Sequence, residues 1–239
     1  MTKPIGIINA MEKEHAQLAA LLSAPASHSC GPFTITTGTY ASQPLALLQC
    51  GIGKVNAALG AAELIRAFAP AAIVNTGVAG GIDQRLGVMD VVVGRQVAYH
   101  DVDCGPECEQ GCVQGLPRFF QGEARLLSAA AAVARTAEAE GQHLHEGLIC
   151  SGDQFITDRT QLAAIKTRYP DALAVDMESG ALAQTCHLYA VPFLSFRIIS
   201  DVVGVENHFS SYLNFWDTMA DRSFKVTRAL LQALAEVGE

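Results

Sequence analysis

The sequence has no excess of basic residues: 16 Lys and Arg stand against 24 Asp and Glu, a formal net charge of -8 over 239 residues. Nucleic acids and anionic membranes are bound through concentrated positive charge, so neither is expected as a partner. A long hydrophobic run is also missing. The apolar stretch Ile5-Gly6-Ile7-Ile8 is cut short by Glu12 and Lys13, so neither a signal peptide nor a membrane span can be drawn there, and a cytoplasmic location is expected. Neither the GxGxxG fingerprint nor a Walker A sequence occurs, which removes the reason to invoke NAD or ATP, and no cofactor is expected. An even set of cysteines is absent too: there are seven, in a chain long enough to bury a core, and this suits reduced thiols better than a disulfide framework. Cys30, Cys50, Cys150 and Cys186 stand in or beside apolar runs and read as buried filler. No internal repeat, low-complexity segment or linker divides the chain, so one domain over residues 1–239 is expected.

What is present is an alternation of short apolar runs with longer helical patterns, in a chain that is 50% hydrophobic. This is the mark of an α/β layer fold with a mixed sheet. Strands are expected at Ile5 to Asn9, Phe33 to Thr39, Leu45 to Cys50, Ala72 to Thr76, Val88 to Val93, Leu148 to Cys150, Ala174 to Val175 and Pro192 to Ile199. The second and third of these form a hairpin around Tyr40 to Pro44. Helices are expected at Glu12 to Leu22, Val55 to Phe68, Glu123 to Glu140, Met177 to Tyr189 and Tyr212 to Val237, with Ser23 to Pro32 stopping the first.

In open α/β sheets the ligand lies outside the carboxyl ends of the strands, so residues just after each strand carry extra weight. After the first come Glu12 and Glu14, which also suit a helix N-terminus as dipole complements. Gly51-Ile52-Gly53-Lys54 and Gly77-Val78-Ala79-Gly80-Gly81 are turns where a missing Cβ admits a ligand, although glycine after a strand is also ordinary turn chemistry. Ala174-Val175-Asp176-Met177-Glu178-Ser179 runs a buried-looking strand straight into two acids, and Ile198-Ile199-Ser200-Asp201 repeats the pattern. Acids there cost stability unless partnered, and Arg197 is available to pair with one of them.

With IGIINAMEKE (Ile5 to Glu14), GIGKVNAA (Gly51 to Ala58), NTGVAGG (Asn75 to Gly81), YHDVD (Tyr99 to Asp103), SGDQFI (Ser151 to Ile156), VDMES (Val175 to Ser179) and RIISD (Arg197 to Asp201) in this order, the chain resembles the 5'-methylthioadenosine/S-adenosylhomocysteine nucleosidases of the purine nucleoside phosphorylase-like superfamily. The resemblance covers nearly the whole chain. It implies a single-domain, three-layer α/β/α fold with a mixed central sheet, hydrolysis of the bond between adenine and ribose, a small nucleoside substrate and a homodimer. By the family pattern Asp201 shares a proton with N7 of adenine and Glu14 is the base for water, with Met11 nearby. Glu178 holds the ribose hydroxyls and Met177 packs on the ribose. Phe155 stacks on adenine, the backbone of Ile156 reads its edge, and Gly80 lets the main chain approach the nucleoside. Arg197 and Ser200 orient Glu178 and Asp201.

The chain departs from the family after YHDVD, where many relatives carry an aromatic-rich stretch that reaches the partner's pocket. Here the text is Cys104-Gly105-Pro106-Glu107-Cys108-Glu109-Gln110-Gly111-Cys112. With His100, Asp101 and Asp103 the three cysteines invite a metal reading, but the spacing is not CxxC and the proline and glycines break any helix that would align them, so no metal is expected. Val78 stands where some relatives have serine. A phosphorylase, a futalosine-type nucleosidase and a silent nucleoside-binding module remain as alternatives.

Overall fold

The computed structural model describes residues 2–203, Tyr212, Phe215 and residues 220–237. Its strands are β1 (Ile5–Asn9), β2 (Ser23–Cys30), β3 (Phe33–Tyr40), β4 (Gln43–Gln49), β5 (Ala72–Gly81), β6 (Val91–Tyr99), β7 (Phe120–Gln121), β8 (Leu144–Ser151), β9 (Ala172–Asp176) and β10 (Phe193–Val202). The helices are α1 (Glu12–Ala19), α2 (Lys54–Phe68), α3 (Ala124–Ala132), α4 (Ala134–Ala139), α5 (Arg159–Arg168), α6 (Ser179–Leu188) and α7 (Ala220–Val237).

The strands form one mixed sheet in the order β10-β6-β8-β9-β5-β1-β4-β3-β2, with β7 beside β6. Strand β10 also pairs with β5, so β10, β6, β8, β9 and β5 close on themselves, and the other four extend the sheet as an open wing. Alternation along the central strands explains why helices cover both faces. Ile8 of β1 and Ala46 and Leu48 of β4 enter one buried cluster with Leu64 of α2 and Leu182 of α6. Their neighbours Ile5, Ile7, Leu45 and Leu47 enter another with Leu18 of α1, Leu126 of α3 and Leu230 of α7. Each such leucine or isoleucine contributes roughly 1.5–3 kcal/mol on leaving water, which is what holds the layers together.

The expected hairpin is found as the antiparallel pair β3 and β4. The segment Ser23 to Pro32, expected to be a stop, is instead mostly strand β2, paired with β3 from Ser23↔Thr39 to Cys30↔Phe33. It lies at the sheet edge with nearly every side chain exposed, so it has no apolar alternation to read; pairing alone makes it a strand. Cys30, at its end, is only half-buried, unlike Cys50, Cys150 and Cys186, which are buried as expected. Helix α5 was also not expected. It buries Ile165 alone, and its one local signal is Asp158, whose carboxylate accepts from the N–H groups of Thr160 and Gln161. The stretch Glu123 to Glu140 divides into α3 and α4 at Val133. Of the helix expected from Tyr212 to Val237, Ala220–Val237 is helical, and most of the earlier part lies outside the described residues.

Candidate active site

The closed part of the sheet directs the carboxyl ends of β1, β5, β9 and β10 toward one cavity with about 670 Å³ of empty space, its open mouth included. All ten residues singled out from the sequence line it: Met11, Glu14, Gly80, Phe155, Ile156, Met177, Glu178, Arg197, Ser200 and Asp201. Each arrives by a local device. Glu14 is the third residue of α1, and its Oε2 accepts the Met11 N–H at 3.2 Å, so the carboxylate turns back toward the helix start. Its Oε1 accepts the Val78 N–H, also at 3.2 Å. Glu14 keeps some surface open to the cavity, yet protein surrounds it, and the lost hydration raises its pKa against the lowering pull of Arg197 and the N–H groups of Met11, Val78 and Ala10.

Glu178 stands between the end of β9 and α6. Its Oε1 accepts the Gly53 N–H at 2.9 Å and its Oε2 lies 3.6 Å from Nη2 of Arg197. Burial pushes its pKa up to about 7; Arg197 opposes that shift, and neighbouring Asp176 adds to it.

Arg197 is 1% exposed in the middle of β10. Burial works against its charge, but Asp176, Glu178 and Glu14 outweigh that and keep it cationic. Its Nη2 meets Asp176 Oδ2 at 2.5 Å, donates to Asn75 Oδ1, and lies 3.3 Å from the Ser179 hydroxyl. Ser179 in turn bonds Asp176 and sits 2.7 Å from the Ser195 hydroxyl, while Asn75 Nδ2 donates to the Ile8 carbonyl at 3.0 Å. The buried charge is therefore held by a connected polar network, the condition under which such a group is tolerated.

Asp201 follows an irregularity in β10, where the register with β5 shifts between Ile199 and Asp201 and re-aims the side chain. It is 2% exposed, and Ser200 donates its hydroxyl to Oδ1 at 2.7 Å. A Cβ on Gly80 would meet Val203 at 3.2 Å, Val175 at 3.3 Å and Asp201 Oδ2 at 3.5 Å, so the glycine keeps this wall open. Phe155 is exposed and meets Tyr212 edge-to-face at 5.4 Å, and the Tyr212 hydroxyl lies 3.7 Å from Met11 Sδ.

Sequence reasoning missed Asn75, Ser179 and Tyr212. Asn75 and Ser179 sit inside two of the quoted motifs, so a search for partners of a buried Arg197 could have reached them; Tyr212 had no signal beyond the helix it was assigned to. The cysteine loop lies elsewhere. Cys104 is exposed, Cys108 and Cys112 are half-buried, and the Cys108 thiol donates to the Cys112 carbonyl at 3.2 Å. Among the described residues no three His, Cys, Asp or Glu side chains come together to hold a metal ion.

Residues 4–232 match the Phosphorylase superfamily. The 5'-methylthioadenosine/S-adenosylhomocysteine nucleosidase of Halalkalibacterium halodurans is 40% identical over 235 residues, which cover 98% of this chain and 100% of that one. The Neisseria meningitidis nucleosidase of the same name, solved in complex with methylthio-immucillin-A, superposes with a TM-score of 0.89 at 38% identity, covering 96% of this chain and 99% of that one. The Colwellia psychrerythraea nucleosidase, solved in complex with adenine, gives a TM-score of 0.90 at 33% identity, covering 98% and 96%. The chain belongs to the 5'-methylthioadenosine/S-adenosylhomocysteine nucleosidase family of the Phosphorylase superfamily.

Proposed function

We propose that the chain hydrolyses the N-glycosidic bond of 5'-methylthioadenosine and S-adenosylhomocysteine, releasing adenine and the 5-thio-substituted ribose. The observation that carries this reading is the placement of two carboxyl groups, Glu14 and Asp201, in one cavity that also holds Glu178. Cleavage leaves an oxocarbenium-like sugar and a poor anionic base, so it calls for an acid at the purine and an activated nucleophile at C1'. In this reading Asp201, steadied by Ser200, shares its proton with N7, and Glu14 takes a proton from the attacking water. The burial that raises the Glu14 pKa makes it a stronger base than a solvated carboxylate. Glu178 accepts from the ribose hydroxyls while Gly53 and Arg197 fix its position, and its charge lies near the cationic sugar. Met177 and Met11 pack on the sugar side, Phe155 stacks on adenine, the Ile156 backbone reads its edge, and Gly80 admits the nucleoside to the main chain.

Hydrolysis is favoured over phosphorolysis because Arg197 is the only cation among the described residues that line the cavity, and Asp176 already occupies it. An aminodeoxyfutalosine substrate, which also carries adenine, would differ at the 5' end alone. The substrate class is tested by product analysis with methylthioadenosine, S-adenosylhomocysteine, inosine and aminodeoxyfutalosine; preferred turnover of inosine or aminodeoxyfutalosine would refute the assignment.

The chain acts, in the same reading, as one domain over residues 1–239 and as a cytoplasmic homodimer in which residues 103–117 close the partner's pocket. Ile52 just before α2, Val55 and Leu59 within it, and Leu188 and Tyr189 at the end of α6 leave apolar side chains exposed that a second subunit would cover. No helix among the described residues is long and apolar enough to cross a membrane. Light scattering at assay concentration tests the dimer, and an active monomer would refute it.

A further inference from the structure

Three of the sequence motifs contribute charged residues that touch no reacting group: Lys54 of GIGK, Asp101 of YHDVD and Asp153 of SGDQFI. The fold brings them together. Lys54 Nζ lies 2.8 Å from Asp101 Oδ2 and 3.9 Å from Asp153 Oδ2, and 5.4 Å above the Tyr99 ring. The Lys54 N–H donates to Asp153 Oδ1 at 2.7 Å, so a carboxylate 99 residues away caps the start of α2, which has no side-chain cap of its own. The Asp153 N–H donates to Asp101 Oδ2 at 2.8 Å, closing the ring of contacts. Two glycines permit this approach. Gly53 has φ of +95° and a Cβ there would lie 3.1 Å from Asp153 Oδ1, while one on Gly152 would strike Asp101 Cγ at 2.7 Å.

The ring joins the two sides of the cavity. Gly53, next to Lys54, donates to Glu178 on the sugar side, and Asp153 leads directly into Gln154, Phe155 and Ile156 on the base side. We propose that Lys54 is a positioning residue whose ammonium, shared by Asp101 and Asp153, fixes the 153–156 segment and the Gly53 N–H relative to each other and so sets the affinity of the cavity for the purine and ribose. This rests on the nucleosidase reading above. Without the cation two carboxylates face each other and the segment carrying Phe155 is pushed from the start of α2. Asp101 is partly shielded from water, with 15% side-chain exposure against 47% for the exposed Asp153, so the repulsion is only partly screened.

The test is adenine binding by titration calorimetry, with KM and kcat for methylthioadenosine, on the full chain carrying Lys54→Met, Lys54→Arg or Asp101→Asn. Lys54→Met should weaken adenine binding and raise KM about tenfold, because a charge partner is removed from a partly buried site. Its kcat should stay within about threefold of wild type, since Glu14 and Asp201, which move the protons, keep their contacts and Arg197 still holds Glu178. Lys54→Arg should restore binding. Asp101→Asn, which leaves Lys54 beside Asp153, should weaken binding by less than Lys54→Met, and it carries the test if Lys54→Met does not fold. Wild-type adenine affinity in folded Lys54→Met overturns the proposal alone, as does unchanged affinity in Asp101→Asn when that variant carries the test. A wild-type protein that binds no adenine overturns the nucleosidase reading and this proposal with it.

Discussion

Gly77 stands directly beneath Glu14: a Cβ on Gly77 would lie 2.7 Å from Glu14 Oε1 and 2.8 Å from Arg197 Nη1. The backbone there has φ of +141°, which side-chain-bearing residues rarely adopt. Gly77→Ala should therefore displace the carboxylate that the Val78 N–H holds. A shift of about 1 Å at a catalytic group can cost roughly 100-fold, so kcat/KM should fall on that order while adenine binding, made elsewhere, changes little. Steady-state kinetics with adenine titration checks this, and near-normal kcat/KM would remove Glu14 from its role.

Asp201→Asn keeps the shape and the hydrogen bond to the Ser200 hydroxyl but has no acidic proton to give. Loss of general acid help costs about 100-fold to 10,000-fold, and the loss should appear in the single-turnover rate rather than in substrate affinity. A variant with normal single-turnover chemistry would require another proton donor at N7.

The raised pKa of Glu178 has a thermodynamic consequence. Its ordinary value is 4.5 and its value in the fold is about 7, so between these the native carboxyl keeps a proton that the unfolded chain has released. The native state then binds more protons, and stability contributed by this site falls as pH rises from about 4.5 to about 7, with no further change outside that window. Glu14, also raised, acts in the same direction. Urea unfolding of the ligand-free protein should show this slope, and Glu178→Gln should flatten it; an unchanged slope in that variant would mean Glu178 is ionised throughout.

Asp176→Asn removes the nearest carboxylate partner of Arg197 and leaves a buried cation short of charge. Breaking such a pair costs about 3–5 kcal/mol, so the urea midpoint should drop sharply. A midpoint close to wild type would show that Asn75 and Glu178 suffice to hold the guanidinium.

The parts of the fold that were legible in the sequence are those whose burial writes a pattern. The wholly buried β1 is a compact apolar run, β10 is one interrupted by Ser195 and Arg197, and α2 carries small and branched residues at helical spacing. Strand β2 and helix α5 were illegible because the first is exposed along its length and the second buries only Ile165. The acids of the cavity were legible as a group, since Glu14 and Glu178 follow a readable strand and Asp201 lies near the end of one. The links between motifs were not: the contact of Gly53 with Glu178 spans 125 residues, and that of Asn75 with Arg197 spans 122. The second is set by the pairing of β10 with β5 and the first by the meeting of the segments that follow β4 and β9, neither of which a local pattern records.

Hydrolysis of a thio-substituted adenosine by water is decided by following methylthioadenosine in phosphate-free buffer and again with added phosphate. Adenine should be released at equal rates in both, with free methylthioribose as the only sugar product. A requirement for phosphate, with a sugar 1-phosphate formed, would contradict it.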